Sequence, residues 1–469
     1  MIFERFTDDG LSQYSYLLAS EATGEAAVVD PRRDVEVYLR YARERGLRIA
    51  HVLETHIHAD YASGALDLAE RTGARLYLSA YDEGEVYDVS FPHEPLRDGD
   101  EVPVGKTRLV ARHTPGHTPE HLSFLVHEDG AAEPSRFLTG DFLFVGSLGR
   151  PDLLGEESKR ELAASLFDSV RESLSGLPDA VRIHPGHGSG SMCGSGMSTV
   201  PETTLGRERA ENPYLDPSLD RDTFVARLLA SLPPYPDYYR RMKERNAGGR
   251  GFTLAWPEPV ALGVAAFAER AAEEAVIVDV RHQLAFGGGH IPGAFGIGLD
   301  PDLSAWAGWV LPPDRPLLLV AERRDDVMEA VTRLTRVGFD RVDAFLEPGI
   351  DAWLRKAYPL QAIPQVQPND LARRLRGDAT TVVDVRTDDE YRAGHIEGAV
   401  HVMGGWLPEP LDRLPDRDRP IAVICGSGYR STVVASVLQR CGYTDVWNVP
   451  GGMTAWEQAG LPVVRSGAD

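Results

Sequence analysis

An internal repeat limits this chain more than any other feature. The stretch VIVDVRHQLAFGGGHIPGA (276–294) returns as VVDVRTDDEYRAGHIEGA (382–399), with the aspartate and the histidine 11 positions apart in both. Further on, GFDRVDAFLEPGIDAW (338–353) answers to GYTDVWNVPGGMTAW (442–456). A short apolar run followed by a helix-forming segment is the pattern of a strand and its crossover helix. Met twice at a spacing of ~100 residues, the pattern requires two copies of one α/β unit. The Gly-rich NAGGRG near 250 and IPQVQPND near 363 mark the boundaries, giving domains at 1–250, 251–362 and 363–469. Three domains also suit the usual prior of roughly one per 150 residues.

The first 200 residues read differently. Short β-rich runs (YSYLLAS, AAVVDP, IAHVLETH, RLYLSA, TRLVARHTP, LSFLVHED, RFLTGDFLF, VRIHPGH) alternate with Gly/Pro turns, and VEVYLRYARERG and ALDLAERTG have helical spacing. With 71 acidic against 49 basic residues, the net charge of −22 argues against nucleic acid or an anionic membrane as partner. MIFERFTDDG is not the start of a signal peptide, and no run reaches the ~18 apolar residues of a membrane span. Cys193, Cys425 and Cys441 form no CxxC and no disulfide framework, so the expected setting is a reducing cytoplasm.

Chemistry-bearing side chains stand where those strands end. ETHIHADYASG (54–64) brings His56, His58, Asp60 and Tyr61, TPGHT brings His117, RFLTGD ends on Asp141, and HPGHG holds His187. Imidazoles and carboxylates in Gly/Pro loops at strand ends are a metal-ligand pattern. In this order the motifs resemble the metallo-β-lactamase superfamily, over about residues 1–215. The resemblance implies an αββα sandwich, making the whole chain α/β and α+β multidomain. STVPETTLGRERAENPYL resembles the tail of glyoxalase II and the persulfide dioxygenases.

Dinuclear members would place one ion on His56, His58 and His117, with Asp141 bridging to a second ion on Asp60, the next position and His187. That next position is Tyr61, whose phenol stays protonated near neutrality and is a poor ligand. The resemblance to persulfide dioxygenases implies instead one non-haem Fe(II), or zinc as isolated, on His56, His117 and Asp141. His58, Asp60, Tyr61 and His187 then surround the site. GDFLFVGSLGRPDLLG (140–155) resembles the loop after the aspartate ligand in that group. Its Arg150 either binds a substrate carboxylate or pairs with Asp152. His121 either lines the pocket or belongs to the framework. Cys193 is either a sulfur relay beside the metal or an incidental loop cysteine.

In the second repeat an apolar strand runs into VICGSGYRS. A strand-to-helix turn points backbone N–H groups at Cys425, and Arg430 adds a full charge. Gly426, Ser427, Gly428, Tyr429 and Ser431 complete a loop expected to stabilise a thiolate or persulfide. Cys441 reads as an ordinary buried cysteine. The Cys-x4-Arg-Ser loop, with DVR and GHIxGA, resembles rhodanese sulfurtransferases over 364–465. The first repeat has Ala321 at the cysteine position and Asp326 at the arginine position, with Glu322 and Asp325 nearby. It is expected to be a rhodanese-like domain without the chemistry, a spacer or docking module.

The full order resembles persulfide dioxygenase–rhodanese fusions of sulfide detoxification. The resemblance implies oxidation of a thiol persulfide (glutathione, coenzyme A or similar) by O₂ to sulfite and thiol. Cys425 would transfer sulfane sulfur, forming thiosulfate from sulfite, and a homo-oligomer is expected. Two rivals stand beside this reading: a glyoxalase II-like dinuclear thioester hydrolase fused to a sulfurtransferase, and a sulfur-carrier or sulfide-responsive binding protein.

Overall fold

In the computed structural model, residues 1–83, 85–248, 256–377, 380–409 and 411–465 are described. The chain divides into two compact units, residues 1–254 with 335–338, and 255–334 with 339–469. The expected boundary at 250/251 lies outside the described residues.

The first unit is built on two six-stranded sheets. One holds β1 (Ile2–Asp8), β2 (Gln13–Ala19), β3 (Glu25–Val29), β4 (Arg48–Leu53), β5 (Arg75–Ser79) and β6 (Glu94–Leu96), in that order. The other holds β7 (Glu101–Val104), β8 (Thr107–His113), β9 (Leu122–His127) and β10 (Arg136–Gly140). A small hairpin of β11 (Leu143–Phe144) and β12 (Ser147–Leu148) follows. The second sheet is then completed by β13 (Arg182–Pro185) and β14 (Thr203–Thr204).

The two sheets bury one core between them, with Tyr16, Leu18, Val29 and Leu53 against Leu109, Leu122, Phe124 and Leu138. Each outer face is covered in turn. Helices Glu36–Arg45 and Ala65–Thr72 place Tyr38, Ala42 and Leu68 on the first sheet. Helix Lys159–Ser173 places Leu162, Leu166 and Val170 toward the second, and Leu166 and Val170 join its core with Phe137 and Ile183. Burial on both faces explains why QYSYLLA and LSFLVH contain no exposed residue despite their polar members. This is the αββα sandwich. The ends of β4, β8, β10 and β13 carry the loops with His56, His117, Asp141 and His187.

The second unit contains both repeats, each around an all-parallel sheet. The first has β15 (Val260–Leu262), β16 (Val276–Asp279), β17 (Phe295–Gly296), β18 (Leu317–Val320) and β19 (Val342–Leu346), ordered β15-β19-β18-β16-β17. The second has β20 (Thr381–Asp384), β21 (Val400–His401), β22 (Ile421–Ile424) and β23 (Val446–Asn448), ordered β21-β20-β22-β23. LLLV and IAVI are apolar throughout because central parallel strands are covered on both faces.

The repeated motif has a structural reason. In the first copy Arg281 grips Asp279 at 2.6–3.1 Å and donates to the Gly289 carbonyl at 2.8 Å. In the second, Arg386 grips Asp384 at 2.7–3.2 Å and donates to Gly394 at 2.7 Å. Each DVR is thus a buried ion pair that fixes the start of the GHI turn. Removing one partner from such a pair costs roughly 3–5 kcal/mol, because the other charge is stranded. Among the described residues, no helix is long and apolar enough to cross a membrane.

Candidate functional site

The loop after β4 is organised by Asp30. Its carboxylate accepts the Thr55 N–H at 2.7 Å and the Thr55 hydroxyl at 2.9 Å. With its hydrogen committed there, Thr55 Oγ1 accepts His56 Nδ1–H at 2.9 Å, which turns the His56 Nε2 lone pair inward. His117 is oriented in the same way, with Nδ1–H donating to the Arg150 carbonyl at 2.8 Å. The two Nε2 atoms lie 3.9 and 3.5 Å from Asp141 Oδ2. All three atoms are buried without a hydrogen-bond partner. Burial, reinforced by neighbouring cationic groups, holds both imidazoles well below their ordinary pKa, so both are neutral. Three orphaned, convergent, Lewis-basic atoms are what a metal ion requires, and these residues fit one.

Two further clusters adjoin this one. His187 Nδ1 lies 2.7 Å from Asp141 Oδ1, and its Nε2 lies 2.8 Å from Asp60 Oδ2. Burial opposes charge on His187, but the two carboxylates outweigh it and raise its pKa well above the ordinary value. His187 is thus an imidazolium strapped between carboxylates. Gly186 in the PGHG motif is required here, since a Cβ would come within 2.7 Å of Asp141 Oδ1. Cys193 offers its sulfur within 4.8 Å of the Asp60 and His187 ligand atoms. Burial, then the Asp60 and Asp141 charges, push its thiol well above the usual range.

His58 turns its Nε2 toward Glu54 and Asp30, at 2.9 and 3.2 Å. Those carboxylates outweigh its burial and push its pKa up to about 10. Tyr61 directs its hydroxyl to the Asp30 carbonyl at 3.3 Å, and burial keeps the phenol protonated. His121 accepts the Asp141 N–H at 3.0 Å and is a framework histidine.

For Arg150, every guanidinium nitrogen is engaged. Asp152 takes two contacts at 2.7 and 2.9 Å, and the Met192 and Pro233 carbonyls each accept at 2.8 Å. The side chain staples three loops and stacks on Tyr235, spending four of its five N–H groups within the chain and leaving too few for a bidentate grip on a carboxylate.

One element of the site was missed in the sequence. Helix Tyr238–Gly248 holds the ligand loop by its backbone. Lys243 donates to the Ile57 carbonyl at 2.9 Å, Tyr238 to that of Asp60 at 2.9 Å, and Asn246 to those of His58 and Tyr61 at 2.8 Å each. Asn246 also accepts the Ser63 N–H at 3.0 Å. The available signal was a stripe of Tyr238, Met242, Asn246 and Tyr239, Lys243, Ala247 at i, i+4 spacing. A lysine and an asparagine on the buried face of a helix need polar partners.

The thiol site sits at the end of β22. Gly428 at φ 101° turns the chain into helix Tyr429–Arg440, a conformation that suits glycine, and its N–H points at Cys425 Sγ across 3.1 Å. Ser431 Oγ lies 3.4 Å from the sulfur and 2.6 Å from Asn448 Oδ1. The carbonyls of Cys425, Gly426 and Ser427 accept N–H bonds from Met453, Thr454 and Gly451. Tyr429, also buried, donates to the Gly298 carbonyl of the first repeat at 3.0 Å.

Two expectations need correction. Arg430 is shared rather than free, because Glu390 binds it bidentately at 2.6 and 2.7 Å while Cys425 is also among the charges that act on the guanidinium. Cys441 is half-buried at the end of its helix rather than buried. In the first repeat the Asp326 carboxylate accepts the Arg323 N–H at 3.1 Å. It therefore fills, from within the chain, the anion position of a helix start.

The geometry defines a metal-binding αββα domain followed by a repeated α/β domain, one copy of which carries a cysteine loop. Family models agree. The metallo-beta-lactamase superfamily model matches residues 8–187, and the rhodanese-like domain model matches 264–356 and 367–459. The chain belongs to the metallo-β-lactamase superfamily, with its N-terminal domain fused to two rhodanese-like domains. Among its relatives is a hydroxyacylglutathione hydrolase of Polaromonas sp., 31% identical over 50% of this chain and 93% of that protein. The mitochondrial persulfide dioxygenase ETHE1 of Homo sapiens is 31% identical over 45% of this chain and 74% of its own length. A crystal structure of a metallo-beta-lactamase from Staphylococcus aureus subsp. aureus COL is 34% identical, with a TM-score of 0.67. That likeness covers 74% of this chain and 98% of the other.

Proposed function

We propose that the N-terminal domain is a mononuclear persulfide dioxygenase and that the last domain is a sulfurtransferase acting through Cys425. The observation that carries the first half is the single orphaned triad of His56 Nε2, His117 Nε2 and Asp141 Oδ2. A two-histidine, one-carboxylate set suits Fe(II), which when bound supplies O₂ activation and a coordination position for the substrate sulfur. The surrounding residues define what the chain itself does. His187 occupies Asp141 Oδ1, so the aspartate offers only Oδ2 to the site. Tyr61 spends its hydroxyl on Asp30, so position 61 provides no ligand for a second ion. The buried, protonated thiol of Cys193 forms part of the wall and is the candidate relay. The overall reaction takes a thiol persulfide, O₂ and water to the thiol, sulfite and two protons.

A second reading has its own support. Several named relatives are hydroxyacylglutathione hydrolases, and Asp60, His187 and Cys193 form a second ligand cluster beside the first. For a second ion to bind His187 beside Asp60, its Nε2 must lose its proton and its contact with Asp60, while Nδ1 can stay on Asp141. Metal content and substrate separate the two. Iron-loaded protein is expected to hold one ion per N-terminal domain and to consume O₂ with glutathione persulfide or coenzyme A persulfide, releasing sulfite. Two ions with hydrolysis of S-lactoylglutathione, and no O₂ uptake, would establish the hydrolase instead. Cys425→Ser is expected to abolish sulfur transfer while O₂ uptake continues.

A further inference from the structure

Ser431 Oγ has one hydrogen and two claims on it, Cys425 Sγ at 3.4 Å and Asn448 Oδ1 at 2.6 Å. A carbonyl in the linker between the repeats decides which claim wins. That linker lies along β23, with Asn448 N–H donating to the Pro364 carbonyl at 3.0 Å and Val366 N–H to the Asn448 carbonyl at 2.9 Å. Within it the Ile363 carbonyl, which can only accept, meets the Gln365 amide at 2.8 Å, so the Gln365 atom there is Nε2. The other end of that amide is then Oε1, also an acceptor, and the Asn448 atom 2.8 Å from it must be Nδ2. Asn448 Oδ1 is left facing Ser431, and an amide oxygen requires the hydroxyl hydrogen. Ser431 therefore turns lone pairs, not its hydrogen, toward the sulfur. Cys425, Ser431 and Asn448 are fully buried, so bulk solvent does not compensate the group that loses.

We infer that Asn448 is a positioning residue for the thiol site: held by Gln365 and the Ile363 carbonyl, it withholds the Ser431 O–H from Cys425. The inference rests on the sulfurtransferase reading above and adds a control on when its nucleophile forms. With the proton on sulfur, the S–H donates to Ser431 Oγ and every group in the chain is satisfied. When that proton leaves for solvent, Gly428 N–H still points at the sulfur across 3.1 Å, but the hydroxyl reaches it only by abandoning Asn448. Either way the ionised site is one buried hydrogen bond short of the resting one. The charged and titratable groups around the loop act apart from this chain. They are Arg430 and Tyr429 on the helix that follows, Glu390 of helix Asp388–Ala393 on the Arg430 guanidinium, and Asp302 of the first repeat.

The test uses the full chain and follows iodoacetamide alkylation of the Cys425 peptide by mass spectrometry as a function of pH. Asn448→Leu keeps the volume but removes the acceptor, so the hydroxyl turns to the sulfur. The alkylation profile should move to lower pH by about one unit, the scale of one hydrogen bond to a charged group. Gln365→Met, at a half-buried position outside the loop, lets the Asn448 amide turn over and should move the profile the same way. In a Ser431→Ala background neither change should move it. A native profile in both single variants would overturn the inference, as would a shift that persists without the Ser431 hydroxyl. A native chain that accepts sulfur from neither thiosulfate nor 2-hydroxyethyl persulfide would overturn the sulfurtransferase reading, whereas the alkylation profile would still decide the direction of the hydroxyl.

Discussion

Tyr429→Phe removes one oxygen from a buried contact between the two repeats, and the structure sets the size of the effect. The hydroxyl donates to the Gly298 carbonyl at 3.0 Å. That carbonyl also accepts the Asp300 N–H at 2.8 Å. Deleting the phenol oxygen therefore leaves no orphaned acceptor. The expected cost is the net worth of a single hydrogen bond, about 1 kcal/mol, rather than the ~1–3 kcal/mol of an abandoned buried group. For a unit of 150–250 residues this lowers Tm by roughly 2–4 °C. The assay can be confined to that unit. Trp256, Trp306, Trp309, Trp353, Trp406, Trp447 and Trp456 are all the tryptophans in the chain, so their fluorescence reports unfolding of the rhodanese-like half alone. No shift would mean that the hydroxyl is not bonded. A loss beyond ~3 kcal/mol would mean that Gly298 depends on it entirely, against the geometry described.

Three further outcomes are expected. Asn246→Leu strips three hydrogen bonds from the ligand loop, so metal affinity in chelator competition should fall by about 10–100-fold, while sulfur transfer at Cys425 is unchanged. Tyr61→Phe should leave metal content unchanged, because the hydroxyl is directed to the Asp30 carbonyl, and lost metal would make Tyr61 a ligand. Burial opposes the Glu390 charge, but the Arg430 and Thr387 bonds outweigh it and lower its pKa to about 2. A depressed folded-state value stabilises above the ordinary carboxylate range and is lost as pH falls toward 2. Acid titration of the tryptophan signal should show this loss below about pH 4.5 in the native chain and a flatter profile in Glu390→Gln.

Much of the framework was readable because its causes are local. The apolar runs ending at Thr55, Thr114, Gly140 and Pro185 became strands, and the Gly/Pro loops behind them gathered His56, His117, Asp141 and His187. The DVR and GHI motifs were visible as a repeat because each pairs residues close in sequence. Partnerships between distant residues left no such trace. Nothing near Arg430 announces Glu390, 40 positions earlier. Likewise Asp30 orients His56 through Thr55 from a different strand end. The roles of His58 and His187 turned on which carboxylates face them, and only tertiary packing decides that.

The hold of helix Tyr238–Gly248 on the ligand loop has a consequence for the nascent chain. His56, His117, Asp141 and His187 all precede that helix, and the superfamily match ends at 187. Its bonds to residues 57–61 span 178 to 188 positions. At a synthesis rate of about 5–20 residues per second, the loop waits roughly 10–40 s for the side chains that fix it. A growing chain therefore possesses every ligand well before it possesses a rigid site. The ion should be captured late, and fragments cut before residue 238 should bind it loosely even though they contain the whole ligand set.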